Sequence, residues 1–423
     1  MLKFTKVALI IIAVLLVLYV IALVVAGISP TVNDADLRVT RDTLAPGEDG
    51  CVIIQTAATS IWWPDEKNQE LLDLVSETNW NVSLATQVVA TNQSALAAID
   101  AALTTPGFQC VELVLNDRMP GLANTKRLSQ VAAIQANVLF RQGKEQQAFE
   151  QALKIVQLGK RLQESKGPII YYLVGSAVQG QGLALMRRWT GRTHLSPAQL
   201  SEIAQRLNSC NDDGSALTLS LKAEYQGYIQ SLADIRAGKI RDPINDPVIG
   251  RLIKMKFAPV FNMGKTKLLF ANATRQLIAG VSRPYCDFKR PGFTANRPSP
   301  VKLIFSGNVG GQVFFYMTIP FVEAAIENKS SKEAQFEATR AILALRAYQM
   351  KHGKLPDDLA TLAPEFLDAV PMDAFTGKPL RYVPERKLVY SVGENLRDDN
   401  GEKQDSQSWR TPYPLDYPFA FDF

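Results

Sequence analysis

The residues from Val7 to Ala26, VALIIIAVLLVLYVIALVVA, run for twenty positions without a charge. As a helix rising 1.5 Å per residue, this run spans roughly the 30 Å hydrocarbon layer of a bilayer. Lys3 and Lys6 precede it, while Asp34 and Asp36 follow beyond Pro30. The positive-inside rule then leaves a short N-terminus in the cytoplasm and nearly all the rest outside it. A cleaved secretory signal is the alternative, since Val24-Val25-Ala26 is acceptable before a cut. The run exceeds the roughly 7–15 residues of a usual signal core, which favours a retained anchor over residues 1–28. A second apolar stretch, Leu303 to Ile326, contains Asn308, Gln312, Pro320 and three glycines. Those groups suit a buried segment of a soluble core, so one span is expected.

With 423 residues, 47% hydrophobic and 21% charged, the remainder is globular and large enough for two or three packed units. The excess of 46 basic over 41 acidic residues is too small to indicate nucleic-acid binding. His194 and His352 are the two histidines, which excludes a His-rich metal site and leaves few candidates for a catalytic base. Cys51, Cys110, Cys210 and Cys286 all follow the apolar run. In an oxidising periplasm they allow two disulfides in three connectivities. Pairing of sequence neighbours favours Cys51–Cys110 and Cys210–Cys286, with four buried free thiols as the alternative.

Three regions follow the anchor. Residues 29–120 are mixed: a β-branched run at 51–56, helical spacing at 64–75, and an alanine-rich helix at 93–103 that ends at Thr-Thr-Pro-Gly. Trp62, Trp63 and Trp80 suit the anchors of a small core better than an aromatic surface. Residues 121–330 read as a helical bundle. Apolar stripes over 128–139 and 148–162 flank a turn at Gly143, and a charge-poor helix covers 169–189. Ser196-Pro197 opens a further helix, residues 217–235 form another, and apolar helical pieces lie at 248–258 and 266–281. An extended loop is expected at 292–300. Residues 331–423 give a helix from Ala334 stopped by Gly353, a short helix to Leu362, and a turn at 372–379. Strands at 380–383 and 387–392 then form a hairpin around Pro384-Glu385-Arg386. The fold class expected is mainly α with a small α+β tail.

Motifs for chemistry are sparse. Asn262-Met263-Gly264-Lys265-Thr266 mimics the end of a phosphate loop, but Pro259 occupies the position of its first glycine, so no nucleotide is expected. His194 lies in a cap loop and His352 near a helix C-terminus, both suited to structural roles. The adjacent pairs Asp212-Asp213 and Asp357-Asp358 fit a turn or helix start.

The tail resembles the C-terminal half of type II secretion major pseudopilins. The resemblance rests on Tyr348, Gly353-Lys354-Leu355-Pro356, Val370-Pro371-Met372-Asp373, Phe375, Gly377-Lys378-Pro379-Leu380-Arg381-Tyr382, Tyr390-Ser391-Val392-Gly393 and Asp398-Asp399-Asn400-Gly401. It covers about a fifth of the chain. Residues 90–240 also resemble a broader family of membrane-anchored bacterial proteins of no established activity that carry such a tail. In the pseudopilins the acidic loop after the last strands binds calcium, which implies Asp398 and Asp399 as ligands here. Closely spaced hard oxygens suit calcium, although Leu396 breaks the EF-hand pattern and a solvated acidic turn is the alternative. Pilin processing requires Gly before Phe4 and Glu where Ala8 stands, and the anchor lies far upstream of the tail. The single long helix of a pilin is therefore expected to be absent, and the chain is not a processed filament subunit.

The expectation is a single-pass inner-membrane protein with a periplasmic scaffold or interaction role toward envelope partners. The alternative is a periplasmic carboxylate-dependent hydrolase. Two acidic groups 5–10 Å apart in a cleft, with a raised pKa, would favour it.

Overall fold

The computed structural model describes residues 13–14, 17, 27–45, 47–110, 120–239, 247–254, 260–288, 293, 298–402 and 416–423. The expected anchor at 7–26 lies outside them except for Ala13, Val14 and Val17, and most of the expected loop at 292–300 lies outside as well.

The N-terminal part packs four helices: α1 (Gly50–Ala58), α2 (Asn68–Ser76), α3 (Val82–Thr91) and α4 (Gln93–Thr104). The β-branched run at 51–56 folds as α1 because Cys51, Ile54 and Ala58 recur at helical spacing and all face the core. Asp49 starts the helix by accepting from the Cys51 and Gln109 amides, each at 2.9 Å. These bonds bring the two strands of chain together where Cys51 and Cys110 are joined by a disulfide. Trp63 is buried and donates its indole N–H to Asn68 at 2.9 Å, while the Arg141 guanidinium lies 4.5 Å above the Trp80 ring.

Helices α5 (Pro120–Arg141), α6 (Glu145–Gln163) and α7 (Ile169–Thr190) stack antiparallel, with Gly143 in the left-handed region at φ 75° turning the first pair. Between α6 and α7 the backbones touch. A Cβ on Gly159 would stand 2.5 Å from the Gly175 carbonyl oxygen, and one on Gly182 would stand 2.5 Å from that of Ala152. Helix α8 (Pro197–Asn208) starts at a capping box between Ser196 and Gln199.

Four more helices complete the body: α9 (Ser215–Arg236), α10 (Pro247–Lys254), α11 (Met263–Val281) and α12 (Pro300–Phe305). The longest, α13 (Val309–His352), has 44 residues and stops at Gly353 with φ 74°. The apolar residues form two cores. One combines α1 to α8 with the second half of α13 and the tail, and the other combines α9, α10, α11 and the first half of α13. Helix α13 threads both.

This continuity corrects two expectations. The helix expected from Ala334 begins at Val309, so the boundary expected at 330/331 falls inside it. Pro320 is accommodated within the helix, where the Thr318 hydroxyl donates to the Phe314 carbonyl at 3.1 Å. Among the described residues α7 and α13 are long and apolar enough to cross a membrane by length and composition alone. Of their apolar windows, 61% and 50% lie buried in the body, as in core helices.

In the tail, the expected short helix reduces to the 3-10 turn Ala360–Leu362. Strands β1 (Met372–Asp373) and β2 (Lys378–Pro379) pair across the Gly377 turn. Strands β3 (Arg381–Val383) and β4 (Leu388–Ser391) form the expected hairpin, and an unexpected β5 (Tyr417–Ala420) adds antiparallel to β4. Because β5 is an edge strand, Pro418 is tolerated in it.

The second expected disulfide is not formed. Cys210 is buried at the end of α8, within the first core. Cys286 is exposed on a 3-10 turn whose amide bonds to the Phe375 carbonyl at 2.8 Å, which ties it to the tail. Alkylation of the denatured, unreduced protein should therefore block two thiols, at Cys210 and Cys286, and four after reduction. The Cys51–Cys110 bond closes a separation of 59 residues, so Cys51→Ala/Cys110→Ala should lower stability by about 4 kcal/mol, read from the urea midpoint.

Candidate functional site

The middle of α13, where the two cores meet, carries the stripe Lys329, Glu333, Glu337 and Arg340. Successive members are three or four residues apart and share one helix face. Lys329 and Arg340 are 6% and 4% exposed, unusually deep for charged residues. The stripe lines a cavity of about 440 Å³ whose opposite wall includes Asp213 and Asp368.

Each charge in the stripe is matched. Lys329 pairs with Glu333 one turn on. Arg340 donates from Nη1 to both Glu337 oxygens at 2.9 and 3.1 Å, from Nε to the Ala204 carbonyl at 3.1 Å, and from Nη2 to Asp368. Asp368 also accepts from Asn208 at 2.9 Å, which draws the end of α8 against the tail. Burial nevertheless pushes the Glu333 carboxyl above its ordinary range, with Lys329 opposing and Asp212 and Glu337 adding to the rise. Burial likewise raises Glu337, opposed by Arg340. One turn apart on a helix, these two carboxyl groups fall within the spacing at which acid pairs interact.

Asp373 also lines this cavity, and all its acceptor capacity faces inward. It accepts from the Phe375 amide at 2.9 Å, the Ser391 hydroxyl at 2.7 Å and the Val392 amide at 3.1 Å, locking the turn at 372–379 to β4.

The residues singled out from sequence lie elsewhere. Asp398 accepts from the Tyr390 hydroxyl at 2.9 Å and meets Arg381 at 3.2 Å; Asp399 accepts from Asn395 at 2.6 Å. Their neighbour Asp416 accepts from the Asp399 and Gly401 amides at 3.1 and 2.6 Å. A calcium ion at Asp398 and Asp399 would have to share or displace those partners. Among the described residues no three His, Cys, Asp or Glu side chains converge on a metal position.

His194 is exposed and bonds through Nδ1 to Glu145 at 2.8 Å, and the His352 ring lies 4.2 Å from that of Tyr348. Asp212 accepts from the Gly214, Ala216 and Leu217 amides at the start of α9, and Asp358 accepts from Thr361 at 2.9 Å. The phosphate-loop mimic is the N-terminus of α11. The Asn262 side chain caps the Lys265 amide at 3.0 Å and Ser29 takes the Gly264 amide at 3.2 Å, so these donors are already engaged.

Nothing in the spacing of these charges alone distinguishes the stripe on α13 from a solvated helix face. The signal available was the uncharged sequence on both sides, Val313 to Val322 and Ala341 to Leu345, which brackets the charges within one helix. Compared with known proteins, the chain matches no family model, no curated protein and no solved structure.

The raised carboxyls have a sign in stability. Their folded values lie above the ordinary 4.5, so the folded state retains protons that the unfolded chain has released. That contribution is complete below this pH and is lost as pH rises through the folded values. Glu337→Gln, which leaves Arg340 paired with Asp368, should flatten the decline of the urea midpoint as pH rises above about 4.5. An unchanged slope would assign the decline to other groups.

Proposed function

We propose that the protein is a single-pass inner-membrane protein whose periplasmic body acts as a scaffold or interaction module at the cell envelope. One observation carries this reading: the chain is fastened to the body directly after the apolar run. The Ile28 carbonyl accepts from Asn262 at 3.1 Å, and the Ser29 hydroxyl accepts from Gly264 at 3.2 Å. Asp34 meets Lys267 at 2.8 Å and accepts from Tyr225 at 2.9 Å; Arg275 holds Asp36 at 2.7 Å and the Asn33 carbonyl at 2.7 Å. A tether fastened at so many points presents the body to the bilayer in one orientation, which suits a docking role. The Cys51–Cys110 disulfide supports an oxidising compartment. The tail's resemblance to pseudopilins supports an envelope protein as the partner.

Cross-linking of the full chain in intact membranes should trap a stoichiometric envelope protein, with the chain retained in the membrane fraction after an alkaline wash. Recovery of the native protein from the soluble cytosol would refute the proposal.

A carboxylate-dependent hydrolase is the second reading, favoured by the raised Glu333 and Glu337 carboxyls in one cavity. Their ion pairs with Lys329 and Arg340 weigh against it, since a working acid and base must be free to exchange protons with substrate. Under that reading, turnover of cell-wall glycan fragments should be measurable and should fall at least about 100-fold in Glu337→Gln. Absence of turnover by the unsubstituted protein would remove it.

A further inference from the structure

A different face of α13 lines a second cavity, of about 850 Å³, between α7 and β5. Its walls include Gly180, Gln181, Arg187, Gln335 and Phe419. Arg187 donates to the Thr339 hydroxyl at 2.5 Å and lies 5.1 Å from the Phe419 ring centroid. Lys332 is 8% exposed and donates to the Gln335 side chain at 2.9 Å. Its ammonium also borders Gly180, where an added Cβ would stand 2.7 Å from Nζ. Gly180 and Gln335 both line the cavity, and the Lys332 ammonium lies against both, directly behind that wall.

In contrast to the matched stripe, these cations have no counterion among the described residues. Among the described residues the charge bearing on Arg187 is Arg188, and the charge bearing on Lys332 is Arg187, both repulsive. Burial and that repulsion bring Lys332 down to about 7 and Arg187 to about 10. Asp416, a carboxylate of the cavity wall, already accepts from two backbone amides. Lys332 is buried and Arg187 half-buried, and like charges so placed are unfavourable until an opposite charge joins them. Tyr417, Phe419 and Leu185 supply apolar surface beside them.

We propose that this cavity binds a small organic anion, with its carboxylate or phosphate held between Arg187 and Lys332 and its apolar part against Phe419. The guanidinium gives a forked donor for two oxygens, and the ammonium gives a point charge whose protonation the ligand would favour. The site is independent of the membrane and scaffold proposal.

Calorimetric titration of the full chain in mild detergent tests it, with hexanoate, hexyl phosphate and hexanol as probes. At least one of the two anions should bind saturably while hexanol does not, and the stronger anion identifies the headgroup. Lys332→Met should weaken that binding at least tenfold. It removes a buried, uncompensated charge, so its urea midpoint should equal or exceed that of the parent and show that the fold is intact. Arg187→Met should weaken binding as well. No binding of either anion, equal binding of hexanol, or unchanged affinity in a folded Lys332→Met would overturn the proposal.

Discussion

Everything in this fold depends on one helix serving two hydrophobic cores. At 1.5 Å per residue, the 44 residues of α13 extend about 66 Å. Its N-terminal half packs Phe314, Phe315 and Ile319 with α9 and α11, and its C-terminal half packs Phe336, Ile342 and Leu345 with α6 to α8 and the tail. A helix shared in this way makes the two halves one cooperative body. It also forces whatever lies at its midpoint into the interior.

What lies there is charged, and the two faces treat charge differently. On one face, Lys329 and Glu333 answer each other, and Arg340 answers both Glu337 and Asp368. On the other face, Arg187 lines a cavity close to Lys332, and among the described residues neither cation has an ion-pair partner; the wall's one carboxylate, Asp416, is taken up by backbone amides. The matched face is a structural clasp joining α13, α8 and the tail. The unmatched face has the electrostatics of a receptor for an anion.

Local chemistry made much of the architecture legible. The stripes over 128–139 and 148–162, the Ser196 cap, the Gly143 and Gly353 stops and the 381–391 hairpin depend on neighbours in sequence, and each stands where periodicity and turn residues put it. Long-range features were hidden. The 51–56 run has strand-like composition, but packing of Cys51, Ile54 and Ala58 decided for helix. The segment 303–326 and the helix from Ala334, read as separate pieces, are joined in α13 by burial on both sides of Pro320 and the charges after it. Strand β5 is four residues with a proline, and its only cue is the partner β4. Cysteine pairing followed sequence proximity for Cys51 and Cys110, whereas Cys210 and Cys286 are separated by the packing of the first core against the tail turn. Neither cavity was readable, because each depends on which helix α13 meets.

The backbone contact between α6 and α7 has a mechanical consequence. With Gly159 and Gly175 touching main chain to main chain, there is no side-chain cushion to absorb a change. A single methyl at either position would pry the helices apart about a pivot near the glycine pair. Arg187 rides on the same helix twelve residues farther along, about 18 Å from that pivot, so the displacement there would be that of a lever arm. The placement of the Arg187 guanidinium thus depends on a main-chain contact about three turns away along its own helix.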